Sequence, residues 1–214
     1  MPLCFVRVAT SVDAADIARV QFTTWQVAYR KLLPRHVLDQ LDVGWLTERW
    51  REAIVSPPSP AHRVLVAVEE TGDGPARSGR DSAYLVGFTA SGPADDSALA
   101  PDENHNALGD GLVAVTELLV EPRWGRRGHG SRLLAASVDH WRRDGYTGAV
   151  MWTFREDRAS VGFLTSAGWA PDGAARALDV DDLLVPQVRL RTDLRIGSGQ
   201  QGPQPDGEPG VVEH

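Results

Sequence analysis

The sequence predicts an α/β fold, a mixed sheet with helices packed against it, and three observations carry that reading. Leu118, Leu119 and Val120 form a buried strand pattern that passes Pro122 into a turn of glycines and arginines, after which Leu133, Leu134, Val138 and Trp141 recur at helical spacing. Ala149 to Phe154 then reads as another strand, so two strands flank one helix and should be parallel with a right-handed crossover. A hairpin pattern before this βαβ unit and two alternating segments after it supply the remaining strands of a mixed α/β sandwich.

Taken in order, Phe5 to Ala9 alternates as a short strand, and Thr10 or Ser11 caps a helix supported at its positive end by Asp13 and Asp16 and reaching Tyr29. That helix has two apolar sides. Ile17, Val20, Thr24 and Val27 line one, while Phe22, Trp25 and Tyr29 line nearly the opposite one. Either the helix is sandwiched between layers, or its aliphatic side packs on the sheet while Trp25 and Tyr29 line a substrate groove. Pro34 to Leu41 and Trp45 to Val55 are shorter helical pieces stopped by the SPPSP run at Ser56 to Pro60. Arg63 to Glu69 and Ala83 to Ala90 are strands joined by the polar span Thr71 to Asp81. Gly92 to Gly111 is acidic, with Asp95, Asp96, Asp102, Glu103 and Asp110 around His105, and reads either as a solvated loop or as a lid attracting an amine.

Gly145 ends the central helix, and a second helix from Asp157 to Ala167 closes at Gly168 before Trp169. Ala174 to Leu194 offers two late strands, the second from Val185 with Val188, Leu190 and Thr192 alternating. Residues 1–195 therefore form one domain, as expected for 214 residues of which 42% are hydrophobic. Residues 196–214 are Gly, Pro, Gln and acid, with little to bury, and are predicted to be disordered.

Net charge is −7, from 22 basic and 29 acidic residues, which argues against a nucleic-acid surface and mildly favours cationic partners. The lone Cys4 excludes an internal disulfide framework, and the absence of a long apolar run predicts a cytoplasmic protein with no membrane span. No metal site is expected, because the histidines and the cysteine lack ligand spacing.

The chemistry concentrates in the turn. Gly125, Gly128 and Gly130 lack Cβ atoms, so the backbone can take left-handed angles and let a ligand approach its N–H groups. These lie at a helix start, where unpaired N–H groups and the helix dipole favour an anion, and Arg126 and Arg127 add charge suited to phosphate. A Walker loop is excluded, since Gly130 is followed by Ser131 and Arg132 and Lys31 is the only lysine. A dinucleotide fingerprint is excluded too, because its third glycine would fall on Leu133.

ELLVEPRWGRRGHGSRLL, from Glu117 to Leu134, resembles motif A of the GNAT superfamily of N-acetyltransferases, whose Q/R-x-x-G-x-G/A pattern binds the pyrophosphate of acetyl-coenzyme A (acetyl-CoA). Gly128 and Gly130 fill the glycine positions, while Gly125 stands in place of Gln or Arg. DRASVGFLTSAGW resembles motif B of the same family, with Phe163, Gly168 and Trp169 matching, Asp157 at the usual Asn, and Leu164 where many members carry a tyrosine that protonates the leaving thiolate. WQVAYRKLLP is similar to the family's first-helix segment, which helps shape the acceptor site.

The resemblance implies a mostly antiparallel mixed sheet with a central splayed parallel strand pair and helices on both faces. It implies acetyl-CoA as acyl donor, bound by Leu118, Leu119, Val120, Gly125, Arg126, Arg127, Gly128, His129, Gly130, Ser131, Asp157 and Ser160, with Trp25 and Tyr29 toward the substrate. The strand edge would pair with the pantetheine arm as an added strand. The implied reaction is direct attack of a primary amine of a small molecule or peptide on the thioester. An amine near pKa ~10 is mostly protonated at neutral pH, so a base is needed, and Glu117 is the acid within the central strand. Asp95 or Asp96 acting through water is the fallback, and water, Ser160 or Tyr29 could serve the thiolate in place of Leu164. Trp124 either covers the cofactor or caps the core. A non-catalytic acyl-CoA sensing module is the second function class and a nucleotide-phosphate enzyme the third; the partners are acetyl-CoA and an amine acceptor, with a homodimer left open.

Overall fold

A computed structural model describes residues 3–70, 83–104 and 111–195. Strands β1 (Leu3–Val8), β2 (Arg63–Glu70), β3 (Ala83–Pro93), β4 (Leu112–Val120), β5 (Gly148–Phe154), β6 (Ala170–Val180) and β7 (Leu183–Asp193) form one sheet in the order β1-β2-β3-β4-β5-β7-β6. Neighbours run antiparallel except β4 and β5, the pair joined by the crossover helix. Helices α1 (Ala14–Ala28), α2 (Arg35–Asp39) and α3 (Val43–Val55) cover one face, and α4 (His129–Arg143) and α5 (Arg158–Ser166) cover the other.

Strand alternation builds both layers. Val64, Val66 and Val68 of β2 turn to α1, where Ile17 and Val20 are fully buried against Phe88. Leu65 and Ala67, one residue out of phase, turn to α4 and meet Leu133. Each fully buried aliphatic side chain stabilises by about 1.5–3 kcal/mol.

Several sequence expectations shift. The first helix is preceded by a 3-10 turn at Ser11–Asp13, where the Asp13 carboxylate accepts the Thr10 N–H at 2.7 Å and pairs with Arg7 at 2.7 Å. It ends at Ala28, and Val27 is 52% exposed, so the predicted aliphatic stripe stops at Thr24. The central strand begins at Leu112, six residues before the apolar triplet, because Ala114, Thr116 and Glu117 dilute its hydrophobic signal. The described part of the acidic span, 92–104, is tied down: Arg189, 3% exposed on β7, donates to both Glu103 oxygens at 2.6 and 2.7 Å and to the Ala98 carbonyl. The span Thr71 to Asp81, His105, Asp110 and residues 196–214 lie outside the described residues. No helix among the described residues is long and apolar enough to cross a membrane.

The feature that positions the site is an irregularity in β4. Its partner register on β3 runs Ala90↔Glu117 and then Ser91↔Val115, leaving Thr116 as an extra, bulged residue. Such a bulge bends and twists the strand. Pairing of β4 with β5 stops at the same place, with Val115↔Met151, although β4 continues to Val120 and β5 to Phe154. The parallel pair therefore splays, leaving one edge of β4 without a partner strand beyond Val115.

Candidate active site

The turn after β4 is built to expose main chain. Pro122–Trp124 form a 3-10 turn, Arg126 and Gly128 take left-handed angles with φ 65° and 80°, and α4 starts at His129. A left-handed arginine is uncommon and marks a turn held by its surroundings. The first bond of the helix runs from the Arg132 N–H to the Gly128 carbonyl at 3.0 Å, so the N–H groups of His129, Gly130 and Ser131 have no helical acceptor. They converge at the positive end of a fifteen-residue helix, a geometry that favours an anion.

Beside this turn lies a cleft of about 860 Å³ between the open end of β4 and α5. Its walls include Leu118, Val120, Trp124, Gly130 and Phe163. Gly130 keeps the floor open: a Cβ there would stand 3.3 Å from the Phe163 ring, a tight contact that narrows it. Trp124 carries a buried indole N–H with no partner among the described residues, on the cleft wall. Free N–H groups, arginine charge and an apolar trough suit a ligand with a diphosphate and a less polar arm.

Of the residues predicted to hold a cofactor, Leu118, Val120, Gly125, Arg126, Gly128, His129, Gly130, Ser131 and Ser160 line this cleft. Three do not. Leu119 alternates to the other face and packs in the core with Phe88, as period-two geometry requires. Arg127 turns away, its Nη1 3.3 Å from the buried Glu69 carboxylate and its guanidinium 4.8 Å above the Trp124 ring. Asp157 caps α5, accepting the Ser160 N–H at 3.1 Å and hydroxyl at 2.6 Å.

His129 contributes its main chain to the turn, but its ring is 2% exposed and faces Cys4 and Glu69. Its Nε2 lies 2.8 Å from Glu69, a distance short enough for pairing but off the line of a straight hydrogen bond. Burial lowers its pKa, the nearby Glu69 charge opposing that shift. The wall formed by Arg158, Ala159, Gly162, Phe163 and Ser166 was not singled out as a binding surface from the sequence. Its signal was present in the small residues Ala159, Gly162 and Ser166 at helical spacing, which open one side of α5.

Glu117 belongs to the opposite face. Strict alternation from Val113 and Val115, which pack under α4, would have sent it toward α4 as well. The bulge at Thr116 reverses the phase: Glu117 lies toward α1, its Oε1 3.4 Å from Gln21 Nε2, while Leu118 returns to the cleft side. Burial pushes its carboxyl up to about 8. Thus a carboxyl sits at the splay on one face and a turn of free N–H groups on the other.

The Acetyltransferase (GNAT) family model matches residues 27–169. The chain belongs to this family. Solved structures share its fold: the PaiA N-acetyltransferase of Thermoplasma acidophilum in complex with coenzyme A (15% identity, TM-score 0.59, covering 89% of this chain and 99% of that one); YncA of Salmonella typhimurium with acetyl-CoA (17%, 0.60, 95% and 98%); and an N-acetyltransferase of Staphylococcus aureus Mu50 (12%, 0.61, 90% and 99%). At these identities the likeness establishes the fold. A search of curated proteins found no match.

The remaining predicted residues of this GNAT acetyltransferase lie outside the cleft lining. Leu164 is 1% exposed within the α4–α5 core, so no hydroxyl stands at the family's usual tyrosine position. Trp25 and Tyr29 are not in the cleft but on the α1 face, with ring centroids 5.7 Å apart and Tyr29 edge-on to Phe154 at 5.0 Å. They pack beside Leu33, Leu38 and Val185 on the face that also carries Glu117. Burial raises the Tyr29 phenol pKa well above its ordinary value, and the charges of Glu117 and Asp157 raise it further. Asp95 is taken up locally, accepting from the Ser97 N–H and hydroxyl at 3.0 and 2.6 Å. Among the described residues no group of three or more His, Cys, Asp or Glu gathers as metal ligands.

Proposed function

We propose that this protein is an N-acetyltransferase in which a primary amine attacks the thioester of acetyl-CoA directly, within a domain spanning residues 1–195. The observation that supports the reading is the splay of β4 and β5 at the Thr116 bulge, with the cleft on its α4 face and the Glu117 carboxyl on its α1 face. Donor and acceptor thereby approach from opposite sides of the sheet. Acetyl-CoA supplies a carbonyl already activated toward an amine.

The chain's own residues do the rest. N–H groups of His129, Gly130 and Ser131, with Arg126 at the mouth, take the diphosphate. The free edge of β4 beyond Val115 offers main-chain groups to the pantetheine amides, and Leu118, Val120 and Phe163 cover its apolar parts. Glu117 takes the proton released by the amine. A carboxyl with a pKa of about 8 is a stronger base than an exposed glutamate and is matched to near-neutral working conditions. The leaving thiolate makes a modest demand, since an ordinary thiol has pKa ~8.5. Tyr29, kept protonated by its burial, is a hydroxyl donor on the α1 face, across the splay from the cleft.

Two measurements test this. Titration with coenzyme A and with ATP should show binding of the first and far weaker binding of the second; equal affinities would remove the donor assignment. Thiol release from acetyl-CoA across an amine panel should identify an acceptor. On that acceptor Glu117→Gln should lower turnover by about 10²–10⁴-fold while the coenzyme A Kd stays within about twofold. Unchanged turnover would take Glu117 out of the mechanism.

A further inference from the structure

We infer that Gln21, oriented by Trp50, is a positioning residue for Glu117, its amide N–H holding the carboxylate at the gap as it ionises. The inference rests on Glu117 being the base. Gln21 sits on α1 and is 7% exposed, so its amide must be satisfied from within. Its Oε1 accepts the Trp50 indole N–H at 2.7 Å, and its Nε2 lies 3.4 Å from Glu117 Oε1.

The direction of this chain is dictated by Trp50. An indole N–H can only donate, so the oxygen of the Gln21 amide must face α3 and its nitrogen must face β4. The reversed amide would set N–H against N–H and leave two buried donors without acceptors. Trp50 is itself held by packing, its ring edge-on to the fully buried Phe88 with centroids 4.9 Å apart. A donor aimed at Glu117 is thus anchored through α3 to the central core.

The separation of 3.4 Å is long for a hydrogen bond; an ionised carboxylate attracts the donor more strongly than a neutral acid does and shortens the bond. Other neighbours do not share this task. From β3, the Thr89 hydroxyl donates to the Glu117 main-chain oxygen at 2.9 Å and not to its carboxylate. From α1, the Tyr29 phenol is the titratable group coupled to Glu117, and it stays protonated. Burial is the cause that raises the Glu117 pKa, and no cation among the described residues offsets it.

The test needs no acceptor. The full chain labelled with ¹³C-glutamate is titrated by NMR, the carboxyl signal lost in Glu117→Gln being that of Glu117 and the indole signal lost in Trp50→Phe that of Trp50. Glu117 should titrate near 8, and the Trp50 indole N–H should shift with the same midpoint. Gln21→Met, which keeps volume and removes the donor, should raise the Glu117 midpoint by about one unit, a tenfold loss of ionised base at neutral pH. Trp50→Phe should raise it by less. A midpoint unmoved in both variants together with a flat indole signal overturns the positioning role while leaving the base intact. A midpoint near 4.5 in the unaltered chain overturns the base itself. Should Gln21→Met fail to fold, the indole titration and Trp50→Phe decide between these outcomes.

Discussion

The two faces of the sheet at the end of β4 are made by opposite means. On the α4 side the site is main chain: three N–H groups, two left-handed residues and a glycine whose missing Cβ leaves a floor open. On the α1 side it is side chain: Glu117, Gln21 and Trp50 in a polar row within an apolar layer, with Tyr29 beside Glu117. A main-chain site depends on local conformation and tolerates most side-chain changes except those that add bulk or forbid the angles. A side-chain site depends on three separate elements meeting, so one substitution changes its chemistry without changing its shape.

Filling the main-chain side should give the largest effect. Gly130 has ordinary helical angles, so Gly130→Val keeps α4 but drives methyl groups toward Phe163, whose ring already stands 3.3 Å from an added Cβ. Coenzyme A affinity should fall by about 100-fold or more, roughly 3 kcal/mol, by calorimetry, with helicity by circular dichroism retained. Binding within a few-fold of the unaltered protein would mean that the cleft admits ligand by another route.

That main-chain half was also the half legible in the sequence. Strand, proline, glycine-rich turn and helix follow one another within eighteen residues, and their order specifies the geometry locally. The same holds for the parallel pair, since β4, α4 and β5 are consecutive. The other half was not legible because its members are remote: Gln21 and Glu117 are 96 residues apart and Gln21 and Trp50 are 29 apart. The direction of Glu117 depended on a one-residue bulge that no alternation rule reveals, since Thr116 has no special composition. The place of Arg127, outside the cleft lining, was hidden for a similar reason. Its acceptor, Glu69, comes from β2, and two adjacent arginines in a turn look alike until a buried carboxylate claims one.

On the side-chain face the next effect is read from stability and pH. The folded-state pKa of Glu117 is raised to about 8, above the ~4.3 of an unfolded glutamate, so between those values the folded chain holds a proton that the unfolded chain releases. Its contribution is intact below the unfolded pKa and is lost as pH rises toward the folded one. Glu117→Gln cannot ionise and escapes that loss. Its melting temperature relative to the unaltered protein should therefore climb from pH 5 to pH 9, by at least about 2 °C per kcal/mol released. A difference independent of pH would place the carboxylate in water, and the polar row would then have no buried charge to hold.

The smallest effect separates the two arginines of the turn. Arg126 lines the cleft from a left-handed position, and asparagine tolerates those angles, so Arg126→Asn removes charge without disturbing the turn. Coenzyme A should bind about 3- to 10-fold more weakly, the difference shrinking as salt is raised because the lost contact is an exposed one. Arg127→Gln removes a partner of Glu69, which is 4% exposed, but takes nothing from the cleft wall. It should leave coenzyme A affinity within about twofold and lower stability by about 1 kcal/mol, with His129 still beside the carboxylate. If Arg127→Gln instead weakened coenzyme A as much as Arg126→Asn, Glu69 would be gripping the turn in the shape that binds, and the two faces of this region would be coupled through β2 and not independent.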